Sequence, residues 1–360
     1  MKTAKVFAIA AATLTMGFAS CTKENGAETP SANKFKVTLN FKNAATRADG
    51  ALAVAGTKVG IVDGYICFVS PGNTITDVYT IGAAATDLGN KKIQNSDLGS
   101  VPVTLDNVPG TSSKVYMIAN TGANAAISAP VVGSPLANFM EKNLEVRDQS
   151  DYTKVTSTGS ASLVDSGVTG VKNATISLAT GVSRIQIKNI CFDKSISGTV
   201  AGIFVNGYYP TMQINGTGNT WQASNDKTDY VSGSSIFPTL HNTYVYDMVN
   251  KAIGTTVTPG NDVWGYNLFA SATPQIIIKL TGVMIEDIPL SGDQFVTING
   301  LKDGNTTIDK IAGGMIYTIK NGTLVINPEH ITTEPGVTPF TVNVTVEQVE
   351  WQETEVIPVM

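Results

Sequence analysis

Few residues in this chain carry the chemistry of a catalyst. There are two histidines, His241 and His330, among 360 residues. Neither stands in a Gly-x-Ser-x-Gly elbow, a His-Glu-x-x-His helix or a Gly-rich phosphate loop. His241 follows Pro238-Thr239-Leu240 and His330 follows Pro328-Glu329, both turn-like settings. Asp303-Gly304-Asn305-Thr306-Thr307-Ile308-Asp309 offers oxygen ligands, but without the order and closing Glu of a calcium loop. Asp226 and Asp229 are carboxylates in a generic polar loop. The expectation is therefore no enzyme, no metal and no cofactor. A formal charge of −5 also argues against a nucleic-acid partner. What remains is chemistry done to the chain: acylation at a cysteine, Cys21, and proteolysis at an arginine, Arg47.

Cys21 closes an address. Lys2 and Lys5 make a positive start, Val6–Met16 is an apolar run, and Gly17-Phe18-Ala19-Ser20 supplies the small residues of a cleavage point. A cysteine directly after them is similar to a lipobox, in which it becomes the lipidated N-terminus. Residues 1–20 read as a lipoprotein signal peptide and 21–33 as a polar tether. The apolar run is too short to span a bilayer, and no later segment reaches about 18 apolar residues. With Cys21 acylated, Cys67 and Cys191 remain, both in strand-like contexts that favour buried free thiols over a disulfide.

Arg47 stands in Asn43-Ala44-Ala45-Thr46-Arg47-Ala48-Asp49-Gly50, a small, polar, loop-like run. The other arginines are Arg147 and Arg184, so Arg47 is alone in the first 146 residues. An Arg-specific protease would cut between Arg47 and Ala48.

The elements around these two sites read as β throughout. Charged residues make up 15% of the chain, too few for long surface helices or coiled coils. In Lys34–Lys42, Phe35, Val37, Leu39 and Phe41 alternate with polar residues, the signature of a half-buried strand. Further strand-like runs are 65–69, 77–81, 114–120, 174–178, 184–190, 203–208, 244–249, 275–280, 294–298 and 315–319, divided by Gly, Pro, Asn, Asp and Ser. The best short helix candidate is Pro135–Val146. Many short strands with regular turns mean an all-β sandwich architecture, and the length allows about two domains. A boundary near Thr180 divides 34–180 from 181–338.

The C-terminus repeats the pattern of the first strand. Phe340, Val342, Val344 and Val346 alternate as Phe35, Val37, Leu39 and Phe41 do. Either run would fit one slot in a sheet, because main-chain hydrogen bonds are blind to sequence. Trp351, Val356 and Ile357 follow in a second strand-like piece of the 339–360 appendage, and Pro335-Gly336 and Pro339 would let the appendage lift from the body. Cleavage after Arg47 would leave the first strand held by pairing alone, and its loss would open a groove that another copy fills head to tail. The residues leave a second reading open, in which both are permanent strands and Arg47 is an ordinary loop residue. Trp221, Trp264 and Trp351 with Tyr208, Tyr209 and Tyr266 offer a further possibility, stacking on a sugar, although aromatics bordering strands usually belong to cores.

Gly17–Cys21 with Thr22-Lys23-Glu24, the Arg47 loop, Val115–Asn120, Arg184–Lys188 and Val342–Glu347 with Trp351 together resemble the fimbrillin family, the type V pilins of Bacteroidales. The resemblance implies two transthyretin-like Greek-key β-sandwich domains in tandem. It implies an outer-membrane lipoprotein precursor lipidated at Cys21, then an extracellular fimbrium after cleavage at Arg47 and donor-strand exchange. Its partners would be other copies of itself, anchor and tip subunits, the protease and, before cleavage, the outer membrane. Having both cut and appendage favours a stalk subunit; a surface lipoprotein or tip adhesin is the alternative. The 313 residues after Arg47 hold 17 basic and 27 acidic side chains, a charge of −10.

Overall fold

The structure, a computed structural model, describes residues 34–44, 59–98, 102–121, 127–151, 154–230, 245–255, 263–319, 324–348 and 351–352. It is nearly all β. The strands up to Thr180 are β1 (Lys34–Ala44), β2 (Gly64–Val69), β3 (Ile75–Gly82), β4 (Lys92–Gln94), β5 (Val103–Pro109), β6 (Lys114–Ala119), β7 (Asn143–Glu145), β8 (Ser157–Ser162), β9 (Val164–Asp165), β10 (Val171–Ser177) and β11 (Ala179–Thr180). One short helix, α1 (Leu136–Met140), lies between β6 and β7. Next come β12 (Val182–Lys188), β13 (Ile190–Phe192), β14 (Ile196–Asn206), β15 (Thr211–Gln213), β16 (Tyr246–Ile253), β17 (Val263–Phe269), β18 (Ser271–Ala272), β19 (Gln275–Ile285) and β20 (Ile288–Pro289). The last are β21 (Gln294–Asp303), β22 (Thr306–Ile308), β23 (Lys310–Ile311), β24 (Met315–Ile319), β25 (Leu324–Ile326), β26 (Ile331–Thr332), β27 (Phe340–Gln348) and β28 (Trp351–Gln352).

Two sheets face each other in the first half. One runs β28-β1-β10-β9, with β5 also on β1; the other runs β11-β8-β6-β2-β3-β4. Alternation puts Phe35, Val37 and Leu39 of β1 into a cluster with Ile66, Phe68, Leu105, Val115 and Ile176. The opposite face of β2 and β6 is buried as well. There Phe139 of α1 meets Tyr65 edge-on at 6.4 Å, and Cys67 is closed from solvent.

In the second half, one path joins β16-β14-β19-β21-β27-β24-β12-β17. A larger apolar cluster fills its interior and extends to Ile75, Ile118 and Phe139 of the first half. Polar ties reinforce that junction. β7 pairs with β15 through Thr211↔Glu145, Met212↔Leu144 and Gln213↔Asn143. Arg184, 1% exposed, donates to Gln186 Oε1 and Asn267 Oδ1, both at 3.0 Å. Asn267 in turn donates to the Gln149 and Ser150 carbonyls at 2.8 Å. Gly265 makes room for the guanidinium, since a Cβ there would fall inside it.

The expected strands are present, generally longer than their apolar cores. Pro135–Val146 differs: only Leu136–Met140 is helical, and Asn143–Glu145 turns into β7. Asn143–Glu145 pairs with β15 instead; so short a helix is marginal by itself, and tertiary pairing decides the segment. No helix among the described residues is long and apolar enough to cross a membrane.

Candidate functional site

β1 fills a slot between two strands. It runs parallel to β10 from Lys36↔Val171 to Lys42↔Ser177. It runs antiparallel to β5 from Lys34↔Pro109 to Leu39↔Val103. Val37, for example, has Lys172 on one side and Leu105 on the other. The core-facing side chains are closed from water: Phe35 is 6% exposed, Val37 and Leu39 0%. Each contributes about 1.5–3 kcal/mol by burial, or about 5–9 kcal/mol together. That gross term is comparable with the whole net stability of a domain, about 5–15 kcal/mol. An empty slot would be poorly tolerated.

Polar contacts seal the rim lightly. Lys36 meets Asp106 at 3.3 Å with both side chains about half exposed, and the Lys172 ammonium lies 5.4 Å from the Phe35 ring centroid. Beneath the slot, Phe68 and Tyr79 pack edge to face at 6.0 Å. The Tyr79 hydroxyl donates to the Asp106 carbonyl at 3.4 Å and accepts from Lys91 at 3.0 Å. Burial raises the pKa of this phenol, against the opposing pull of Lys91.

β27 is seated differently. Phe340–Asn343 pair in parallel with β21, from Ile298↔Phe340 to Lys302↔Asn343. Val344–Gln348 pair antiparallel with β24, from Ile319↔Val344 to Met315↔Gln348. The strand thus passes from one neighbour to the next, and it is the link between β21 and β24 in the sheet order. Val342 is 7% exposed and Val344 0%; Phe340 stacks on His330 at 3.8 Å. In the single copy, the segment after Pro335-Gly336 and Pro339 lies within the second-half sheet. Burial of Val342 and Val344 holds β27 in its own sheet.

Beyond β27, the backbone returns to the first strand. Trp351 pairs with Ala44 and Gln352 with Asn43, on the edge of β1 opposite β10. This contact joins the end of β1 to the residues just after β27.

The remaining expected residues sort as follows. Cys21, Arg47, Ala48, Val356, Ile357 and His241 lie outside the described residues, as do the side chains of Phe41, Val346 and Trp351. Arg184 is buried. Arg147 is tied to Glu145 at 2.7 Å. Cys67 and Cys191 are both buried and free; burial pushes the Cys67 thiol up to about 12. Asp303 and Thr306 face each other across the β21–β22 pairing, a turn as its composition suggests. Of the aromatics, Tyr208 and Tyr266 are core residues, while Trp221 is 39% exposed.

No protein-family model matches the chain, and no curated protein matches it. Solved structures do. A candidate cell adhesion protein from Bacteroides eggerthii aligns over 90% of this chain and 98% of its own, with TM-score 0.60 and 17% identity. A fimbrilin from Porphyromonas gingivalis aligns over 88% of this chain and 98% of its own, with TM-score 0.52 and 12% identity. A candidate cell adhesion protein from Parabacteroides distasonis also has TM-score 0.52, at 12% identity over 89% of this chain. At these identities the likeness is one of fold.

Proposed function

We propose that the chain is a structural fimbrial subunit, exported as an outer-membrane lipoprotein acylated at Cys21 and cut after Arg47. Cleavage frees β1, and the subunits polymerise by donor-strand exchange into an extracellular fimbrium. The observation that carries this reading is the seating of β1. It is inserted between β5 and β10 through alternating apolar side chains, and its end at Ala44 stands three residues before Arg47. The other arginines are a buried one and an ion-paired one, which favours a selective cut.

Burial narrows the donor. Removing β27 from its own sheet would open one hole to fill another, with no net apolar gain. The ten residues Trp351–Met360 carry Trp351, Val356 and Ile357 in the second strand-like piece that follows β27. We assign them as the donor and β27 as the stem that carries them. At about 3.3 Å per residue they reach about 33 Å, enough to run most of the length of β1. Until cleavage, Trp351 and Gln352 are engaged on β1 itself, so the cut frees slot and donor together. Possession of both cut and donor favours a stalk position, with anchor and tip subunits as further partners.

Fimbriae should yield subunits beginning at Ala48, and protease-treated precursor should run as an SDS-resistant ladder in unboiled samples. Arg47→Ala should remain monomeric under the same protease; a full ladder from that variant refutes the cleavage trigger.

A further inference from the structure

We propose that the cleft beside the end of β14 binds a neutral saccharide, with Trp221 as its stacking platform. The proposal is independent of polymerisation. The cleft measures about 410 Å³, and none of its lining residues is charged. That volume suits a small ligand site.

The wall is fixed before any ligand arrives. Asn206, 2% exposed, donates from Nδ2 to the Ser224 carbonyl and to Gln275 Oε1, both at 2.8 Å. Its Oδ1 accepts from the Ser224 amide at 2.8 Å. One buried carboxamide therefore locks the end of β14, the 221–225 segment and the start of β19. The Tyr230 hydroxyl donates to the same Ser224 carbonyl. Among the described residues, the Asn225 carboxamide and the Gln275 amide N–H groups make no protein hydrogen bond. Both line the cleft, so both are available to hydroxyl groups.

Trp221 is held while one side stays open. Gly207, at φ 83°, lies under the indole: a Cβ there would come within 2.8 Å of the ring. Tyr209 stands against it at 5.0 Å and 75°. A pyranose presents a C–H face and a rim of hydroxyls. The first would cover the 39% of Trp221 that water now reaches, and the second would meet the amides. An anionic sugar would lose hydration here and find no cation in the lining.

Saturation-transfer NMR on the uncleaved full chain tests this, with N-acetylglucosamine, galactose, lactose and cellobiose as neutral probes and sialyllactose as the anionic one. At least one neutral saccharide should receive saturation, at millimolar affinity. Trp221→Ala should weaken it roughly tenfold and Trp221→Phe less. Asn225→Ala should weaken it severalfold. Asn225 is exposed, and Trp221→Phe keeps an aromatic ring against Gly207 and Tyr209; these two variants should keep the parent's melting temperature, which separates lost binding from lost folding. The proposal is overturned if no neutral saccharide receives saturation, if Trp221→Ala binds as the parent does, or if sialyllactose binds as tightly as lactose.

Discussion

β1 and β27 look alike as sequence and differ as structure. Both alternate apolar and polar residues, and both bury their apolar face. β1 is paired on both edges along the same stretch, within a core made by the first half alone. β27 has one neighbour at a time and bridges two parts of the second-half sheet. The comparison teaches that apolar alternation marks a strand that fits a slot, not a strand that can leave it. A removable strand needs a cut beside it and a replacement whose departure empties nothing. Under the proposed function, Arg47 would supply the cut beside β1 and Trp351–Met360 of another copy the replacement; no such pair is proposed for β27.

The largest effect that sharpens this contrast is in β27. Val344→Asp would bury a charge without a partner and should destabilise precursor and cleaved forms alike, by about 4–5 kcal/mol in denaturant unfolding. Leu39→Ala should cost about 2–5 kcal/mol in the precursor and nothing in the assembled fimbria, where β1 has gone. A Leu39→Ala effect that persists after assembly would break the contrast. Lys36→Ala removes only the half-exposed pair with Asp106; it should shift precursor stability by no more than about 1 kcal/mol. The smallest effect concerns Cys67, whose thiol pKa burial raises to about 12. The folded pKa lies above the unfolded one, so the thiol's stabilising contribution is present below about pH 8.5 and is lost as pH rises towards 12. Cys67 faces away from the slot, so it should stay unreactive to a thiol reagent at pH 8 in precursor and cleaved chain. Labelling that appears on cleavage would show that the opening reaches past the slot.

Much of this was legible in the sequence where one strand face is wet. Lys34–Phe41 and Phe340–Val346 declare themselves because water forces their alternate positions to be polar. Val263–Phe269 hid because its residues are buried or half-buried on both faces, with Gly265 making room for Arg184. Ser157–Ser162 hid because its Ser, Thr, Gly and Ala residues allow the two sheets to approach closely. A Cβ on Gly159 would strike the Ser177 backbone. Val103–Pro109 has a readable Val103-x-Leu105 start, but its alternation breaks at Asp106-Asn107. The pairing of Ala44 with Trp351 could not be read, because register between distant segments is set by the fold around them. The Trp221 cleft was only half readable: the aromatics were visible, but the amide wall comes from residues 206, 224, 225 and 275, brought together by β14 and β19.

The central claim is that Trp351–Met360 of one copy replaces β1 of the next. It is tested most directly by protease treatment of two precursors, the full chain and a chain ending at Gln348, followed by unboiled SDS electrophoresis. The account predicts a ladder from the full chain and only cleaved monomer from the shortened one. A ladder of equal length from the chain ending at Gln348 would contradict it.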